Sequence, residues 1–522
     1  MAKKNALTNT NNTFIPISED KLHGRRRIYT NEEEITRENV LAVLSDALQI
    51  HALNREEEVY LEKYVRGLQP ISMRQKAYNS EINNKICVNM ANQIVTFKAA
   101  EFAGKPIQYV SRGADRTVPE KLEKLNSMMI SEGKPSKDFL LAKNMFTMGV
   151  GYRLVLRDKA LAVARKELLD EAPFEIYIPD PRNTFVIRLN HVSGRKVAGV
   201  TYVYLDDKNV QYTVYTPDVT FVIEGRVGKA EKIVDAVTHN NGVVPLIEYP
   251  CNSEYMSPIE IVHDLINAMS LTQSNRLDGI EQFIQALMVF DGVDISREDF
   301  LELKDLGAIK LPPSPEGMGS SGKKLYYLNE QLDQSQTQTL VEDMKQQILE
   351  IVGMPSQGNA NTSDSSNNGA IIMKNGWWNA ESRRLETAGM WAEAETEFLK
   401  IALKFCGDAN VMKLKVSDVE TKFLSNSYEN LLVKSQTFTT MIDAGCPPIQ
   451  AYTASGIVSD PEAAAIQYEE YRKEQEARQE SAVINELEQE RERIRQNEDA
   501  RSVSGSGPLS GETDEEGAEE AE

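Results

Sequence analysis

The sequence predicts an α+β chain built from several folding units. Three observations carry this. The chain is 522 residues long, enough for three or more units at about 100–200 residues each. Residues 174–250 hold β-branched and aromatic runs with period-two alternation, such as Thr201–Leu205, Val210–Tyr215 and Val219–Ile223, the pattern of an antiparallel meander. Long stretches of helical periodicity lie before and after that region.

Taken in order, residues 1–34 are polar, with a basic cluster at Lys21, Arg25, Arg26 and Arg27. They read as a solvated flexible arm. Ile35 to Tyr64 has helical spacing, with Val40, Leu44, Ala47 and Leu48 on one face. A second amphipathic stretch, Ile82 to Phe102, stops at Gly104-Lys105-Pro106 and leads into a short β run, Ile107–Val110. Residues 118–148 read as two helices, and Gly149–Gly151 opens a strand over Tyr152–Leu156. Pro258 stands in the first turn of a long helix. That helix is polar on every side in its middle, Thr272 to Arg276, which suits a rod packed against copies of itself. Phe283 to Phe290 reads as a core helix segment.

An insert follows at 291–330: a charged helix (Ser296–Leu306), a strand (Ala308–Leu311), a Pro/Gly/Ser loop (Pro312–Gly322) and a strand (Lys324–Leu328). Helix returns from Gln331 to Val352. Pro355–Gly369 (PSQGNANTSDSSNNG) carries one charge, Asp364, and no aromatic residue. Loops this long are uncommon and usually functional or disordered. A long helix runs from Ala370 to Phe405, with Trp377, Trp391, Phe398 and Phe405 on one stripe as core packing. A strand (Val411–Phe423) and two helices (Tyr428–Ala444, Pro448–Ala454) come next. Asp460 and Pro461 start a last helix that runs to about Glu498, and Ser502–Glu522 reads as a disordered acidic tail.

Composition narrows the function. Lys+Arg is 58 and Asp+Glu is 79, a formal net charge of −21, which argues against a protein that grips DNA by bulk positive charge. No apolar run approaches the roughly 18 residues that span a bilayer, so no membrane partner is expected. Without an apolar leader segment the chain reads as made in a reducing cytosol. Cys87, Cys251, Cys406 and Cys446 are far apart and read as buried thiols. No cofactor or metal motif is present. Gly317–Lys323 has P-loop spacing but lacks the Ser/Thr and the following helix that such a loop needs. The cluster Asp291, Asp294, Glu298 and Asp299 fits no metal loop and reads as a solvated helix start. The chain is therefore expected not to be an enzyme.

Four segments together carry a family resemblance. They are Asn84–Val95 (NKICVNMANQIV) with Phe102–Ile107 (FAGKPI); Gly242–Tyr249 (GVVPLIEY) with Asn252, leading into Ser257 and the long helix; Gly353–Ala370; and Val416–Phe423 with Asn426, followed by Val458–Glu462. In this order and spacing the chain resembles the portal proteins of tailed double-stranded DNA bacteriophages, in their siphophage-type branch, over Ile35 to Tyr471. Trp377-Trp378 departs from the family pattern, as does Asn267-Ala268-Met269, where the family often has Asp-Ala-Tyr.

The resemblance implies a ring homo-oligomer, commonly a dodecamer, at one vertex of the capsid in the virion. It implies an outward wing (35–256), stem helices (257–290 and 331–352), a clip (291–330), a tunnel loop (353–369), a long helix and strand completing the wing (370–424), a crown (425–480) and a charged helix end with acidic tail (481–522). The implied partners are double-stranded DNA in the channel, the terminase large subunit, major capsid and scaffolding proteins, and a head-tail adaptor. Another structural, scaffolding or adaptor protein of a virion is the alternative. DNA must slide without sticking, and phosphate-binding lysines would hold it by counterion release. A neutral polar loop exchanges hydrogen bonds with water. Ser356, Asn359, Asn361, Asp364, Asn367 and Asn368 are therefore the expected channel-lining residues, with Lys345 and Lys374 as nearby cations. The charge also divides unevenly. Residues 469–522 hold 7 basic and 18 acidic side chains, so just over half of the −21 lies at the C-terminal end.

Overall fold

A computed structural model describes residues 22–77, 80–112, 117–157, 172–239, 241–284, 288–291, 298, 324–327, 334–355, 376–424, 431–458 and 460–503. They fall in two compact units, one up to Tyr428 and one from Glu429. In chain order the first unit contains β1 (Ile28–Thr30), α1 (Val40–Val65), α2 (Met90–Ala103), β2 (Gln108–Ser111), α3 (Val118–Ser131), α4 (Lys134–Met148), β3 (Val150–Arg157), β4 (Phe174–Tyr177), β5 (Thr184–Leu189), β6 (Lys196–Tyr204), β7 (Asn209–Tyr215), β8 (Val219–Arg226), β9 (Lys229–Thr238), β10 (Leu246–Pro250), α5 (Pro258–Ile284), β11 (Met288–Asp291), β12 (Lys324–Tyr327), α6 (Gln334–Val352), α7 (Trp377–Asp408) and β13 (Val419–Lys422). The second contains α8 (Leu431–Asp443), α9 (Pro448–Ser455) and α10 (Pro461–Val503).

The meander forms as its alternation dictates. Strands β5 to β9 pair antiparallel in sequence order. Their inward residues Val200, Tyr202, Tyr212, Val214, Phe221 and Ile223 pack with Val40, Leu44, Ala47 and Leu48 of α1. The buried α1-facing side fixes the register, because a one-residue slip would turn those side chains over. A second sheet, β10-β3-β4, meets the first through Val186, Tyr215, Val150, Tyr152, Leu154 and Leu246. The turn from α4 into β3 needs Gly149. Its φ is +84°, and a Cβ there would lie 2.1 Å from the Tyr255 carbonyl oxygen. The largest core gathers α2, α3, α4, α5, α6 and α7, with Trp391, Phe398 and Phe405 fully buried.

Several expectations are corrected. The described part of the N-terminal segment is not a solvated arm. Residues Ile28–Thr30 add a parallel strand beside β5, Leu22 is in the main core, and Arg25 is buried. Helix α2 begins at Met90 and not near Ile82, because Asn89 caps it by accepting from the Asn92 N–H at 3.2 Å. The segment Phe283–Phe290 is not one helix, since α5 ends at Ile284 and Met288–Asp291 pairs with Lys324–Tyr327 as a strand. Of Val411–Phe423 only Val419–Lys422 is strand, after a single 3-10 turn at Val416–Asp418. Cys406 is buried, whereas Cys87, Cys251 and Cys446 are partly exposed. Trp391 is core as expected, but Trp377 is half-buried against Phe97. Helix α10 runs to Val503, past the expected Glu498. Residues 504–522, the Gly317–Lys323 loop and most of the insert lie outside the described residues.

Candidate functional site: the long helices and their anchors

Helix α5 is held by two sets of polar contacts. At its start, Ser257 and Glu260 form a capping box. The Glu260 carboxylate accepts from the Ser257 N–H at 2.6 Å, and the Ser257 oxygen accepts from the Ile259 N–H at 3.2 Å. Glu260 also accepts from the Gly24 N–H at 3.2 Å and pairs with Arg25. Arg25 reaches Glu57 at 2.8 Å, which in turn meets Arg26 at 2.8 Å. Arg27 lies over the Tyr255 ring at 4.9 Å. Arg25, Arg26 and Arg27 thus tie the N-terminal segment to α1, the start of α5 and the turn before it. Beside it the carboxyl of Glu58 is buried, which pushes its pKa well above the usual range, against the pull of Arg25.

The polar middle of α5 has an intrachain partner. Ser270, Ser274 and Asp278 are buried at i, i+4 and i+8. Ser270 accepts from the Val88 N–H at 3.2 Å, Ser274 from the Ile86 N–H at 2.9 Å, and Asp278 from the Asn84 N–H at 2.8 Å. Four helical residues advance about 6 Å and two extended residues about 6.6 Å. Alternate N–H groups of an extended segment therefore match successive turns of one helix face. Asp278 further receives Arg74 at 2.8 Å and Lys76 at 3.1 Å. Burial pushes its carboxyl up, but the Asn84, Lys76 and Arg74 donors outweigh that and hold it at about 2. This ladder explains both the polar waist and the absence of helix over 82–89. The sequence shows the waist only as a stretch polar on every side and suited to contact with copies of the chain; the acceptor spacing of Ser270, Ser274 and Asp278 and its intrachain partner are hidden by the helix-like periodicity from Ile82 to Val88.

Helix α6 packs on α5 through Val341, Met344, Ile348 and Val352, and Arg276 donates to Gln338 at 2.6 Å. Its outward face carries Glu342, Asp343, Lys345, Gln346, Gln347 and Glu350. Gln347 bonds Asp343 at 3.0 Å and Gln346 bonds Glu350 at 2.9 Å, so the face is neutral to acidic with one lysine. The helix stops at Gly353, at φ +69°, where a Cβ would lie 2.7 Å from Arg383 Cγ. Of the expected channel residues, Lys345 is exposed on this face. Ser356, Asn359, Asn361, Asp364, Asn367, Asn368 and Lys374 lie outside the described residues.

Helix α7, which follows that segment, is pinned by a buried charge cluster. Glu395 meets Arg153 at 2.7 Å and Lys134 at 3.5 Å, and Lys134 meets Asp138 at 2.6 Å. Arg153 also pairs with Asp138. Glu395 also accepts from the Tyr109 OH at 2.8 Å and from the Trp391 indole N–H at 3.0 Å. Two cations and two carboxylates balance, so no net charge is buried. Burial pushes Glu395 up, but Arg153 and Lys134 override it and hold the carboxyl at about 2. The arrangement fixes the helix and offers no free acid, base or nucleophile. Among the described residues no group of His, Cys, Asp and Glu is placed to hold a metal, and no helix is long and apolar enough to cross a membrane.

The family model described as phage portal protein, SPP1 Gp6-like, matches residues 26–481. The chain belongs to this family. It is thus a portal protein, a structural component of a capsid vertex. Among solved structures, a chain from the neck of an empty GTA particle computed with C6 symmetry is 12% identical, with a TM-score of 0.44, covering 77% of this chain and 94% of that one. A chain from the virion of a native gene transfer agent particle is also 12% identical, with a TM-score of 0.43 and the same coverage. A chain from the neck of a native GTA particle computed with C12 symmetry is 11% identical, with a TM-score of 0.42, covering 70% of this chain and 89% of that one. No curated protein matches the chain.

Proposed function

We propose that the chain assembles with copies of itself, twelve to a ring, around a channel through which double-stranded DNA enters and later leaves the head. The family match over residues 26–481 carries this reading. In it, residues 35–256 with 370–424 are the wing, 257–290 and 331–352 the stem, 291–330 the clip, 353–369 the tunnel loop and 425–480 the crown. The terminase large subunit and later a head-tail adaptor engage the ring, and capsid and scaffolding proteins surround it. The chain turns over no substrate, since the motor is a separate protein.

The outward face of α6 supports the channel role. One lysine among three acids and two glutamines leaves few phosphate contacts whose counterion release must be reversed as DNA moves. The neutral composition of Ser356, Asn359, Asn361, Asn367 and Asn368 suits the same task, with Asp364 adding mild repulsion and Lys374 standing near. Proheads built with the chain should retain DNA when terminase and ATP are added. Equal retention by proheads built without it would overturn the reading. Replacing Asn361 and Asp364 by lysine should slow or block packaging most at low salt, where phosphate contacts are strongest. Unchanged packaging at low salt would remove these residues from the channel.

A further inference from the structure

Helix α10 spans Pro461–Val503, about 65 Å at 1.5 Å per residue. Glu476 to Arg495 are all exposed. A helix that is polar all round needs many internal ion pairs or a partner. Arg472–Glu476 at 3.0 Å and Glu474–Arg478 at 3.9 Å are two such pairs at the start of that stretch, and among the described residues no further pair forms from Gln479 to Arg495. Within that stretch, Ile484, Leu487 and Ile494 are 55%, 58% and 51% exposed. With Ala477 they fall on coiled-coil a and d positions: Ala477, Ile484 and Arg491 at a, Glu480, Leu487 and Ile494 at d. The family match ends at residue 481, so most of this seam belongs to the chain's own C-terminal extension.

The two charged seam positions decide what can cover it. A parallel copy would set Glu480 against Glu480 and Arg491 against Arg491, two like-charge layers. An antiparallel copy in register sets Ala477 against Ile494, Glu480 against Arg491 and Ile484 against Leu487, each layer occurring twice. One turn outside, Glu474 then comes beside Arg495 of the other copy. The seam is self-complementary in the antiparallel sense alone.

We propose that α10 is a docking surface for α10 of a second copy of this chain, paired antiparallel over residues 477–494. Antiparallel identical helices are related by a two-fold axis. The contact therefore joins copies that are not neighbours in one cyclic ring: copies before ring closure, or copies in two rings.

The test uses the full chain in sedimentation experiments, as the parent, Glu480→Arg and Arg491→Glu. The parent should show reversible doubling of its assembly unit. Each single variant should weaken that doubling about tenfold or more, since both copies then present like charges in the paired layers. An equimolar mixture of the two variants should restore it. The arginine introduced at position 480 of one variant then faces the glutamate introduced at position 491 of the other, and the unchanged Arg491 of the first faces the unchanged Glu480 of the second. Leu487→Ser, which changes no charge, should also weaken the doubling. Circular dichroism of each variant checks that the helix is kept. A parent that never doubles, single variants that double as tightly as the parent, or a mixture no tighter than its components would each overturn the proposal.

Discussion

At the scale of the residue, Asp278 joins three parts of the sequence that lie far apart. It accepts from Asn84, Arg74 and Lys76 while buried on α5. Asp278→Ala should cost about 1–3 kcal/mol in chemical denaturation, because the partly buried Arg74 and Lys76 lose their carboxylate and the Asn84 N–H loses its acceptor. Its folded pKa, about 2, lies below the ordinary 3.8. The stabilisation is thus complete above pH 4 and lost as the pH falls toward 2. His51 acts in the opposite range. It stacks on Phe185 at 4.5 Å and its Nε2 lies 3.1 Å from Tyr202 OH. Burial lowers its pKa from 6.5 to about 3. The unfolded chain therefore binds a proton between those values that the folded chain does not, and stability falls as pH drops below 6.5. At pH 5 the penalty is about 2 kcal/mol. His51→Phe should flatten the loss of melting temperature between pH 7 and pH 5. An unchanged slope would show that His51 takes up its proton in the folded state.

At the scale of the element, helices were legible wherever apolar spacing alone decides them. The α1 face of Val40, Leu44, Ala47 and Leu48 is buried as read, and Asp460 caps α10 through the Ala463 N–H at 3.0 Å. The alternating strands β6, β7 and β8 were legible from their period-two pattern. What was not legible depends on distant partners. Ile82, Ile86 and Val88 show helical spacing, yet their segment lies extended because α5 supplies acceptors for its N–H groups. The sequence around Arg25 reads as a free basic arm until Glu57 and Glu260 are brought to it by the fold. Replacing Ser270 and Ser274 together by alanine should cost about 2–5 kcal/mol, since two backbone donors lose their acceptors. Hydrogen exchange at Ile86 and Val88 should quicken while exchange in β7 and β8 stays slow. Equal protection at Ile86 and Val88 in parent and variant would contradict the ladder.

At the scale of the whole molecule, α7 links the segment after α6 to the main core. Glu395, on α7, gathers Arg153 from β3, Lys134 from α4 and Tyr109 from β2. Glu395→Gln should cost about 3 kcal/mol, as Arg153 and Lys134 would keep only Asp138 as counter-charge in a buried site. A change below about 0.5 kcal/mol would mean the cluster does not bear on folding. The expected channel residues other than Lys345 lie outside the described residues, and their reading rests on the polar composition of residues 355–369. Their role depends on copies of the chain meeting around an axis, which no single chain contains.

The central claim is that copies of this chain close into a ring with a hole wide enough for duplex DNA. Negative-stain microscopy of the purified full chain tests it most directly. Ring-shaped particles with a stain-filled centre and about twelve-fold rotational symmetry are the predicted result. Monomers or open filaments at every protein concentration would contradict it.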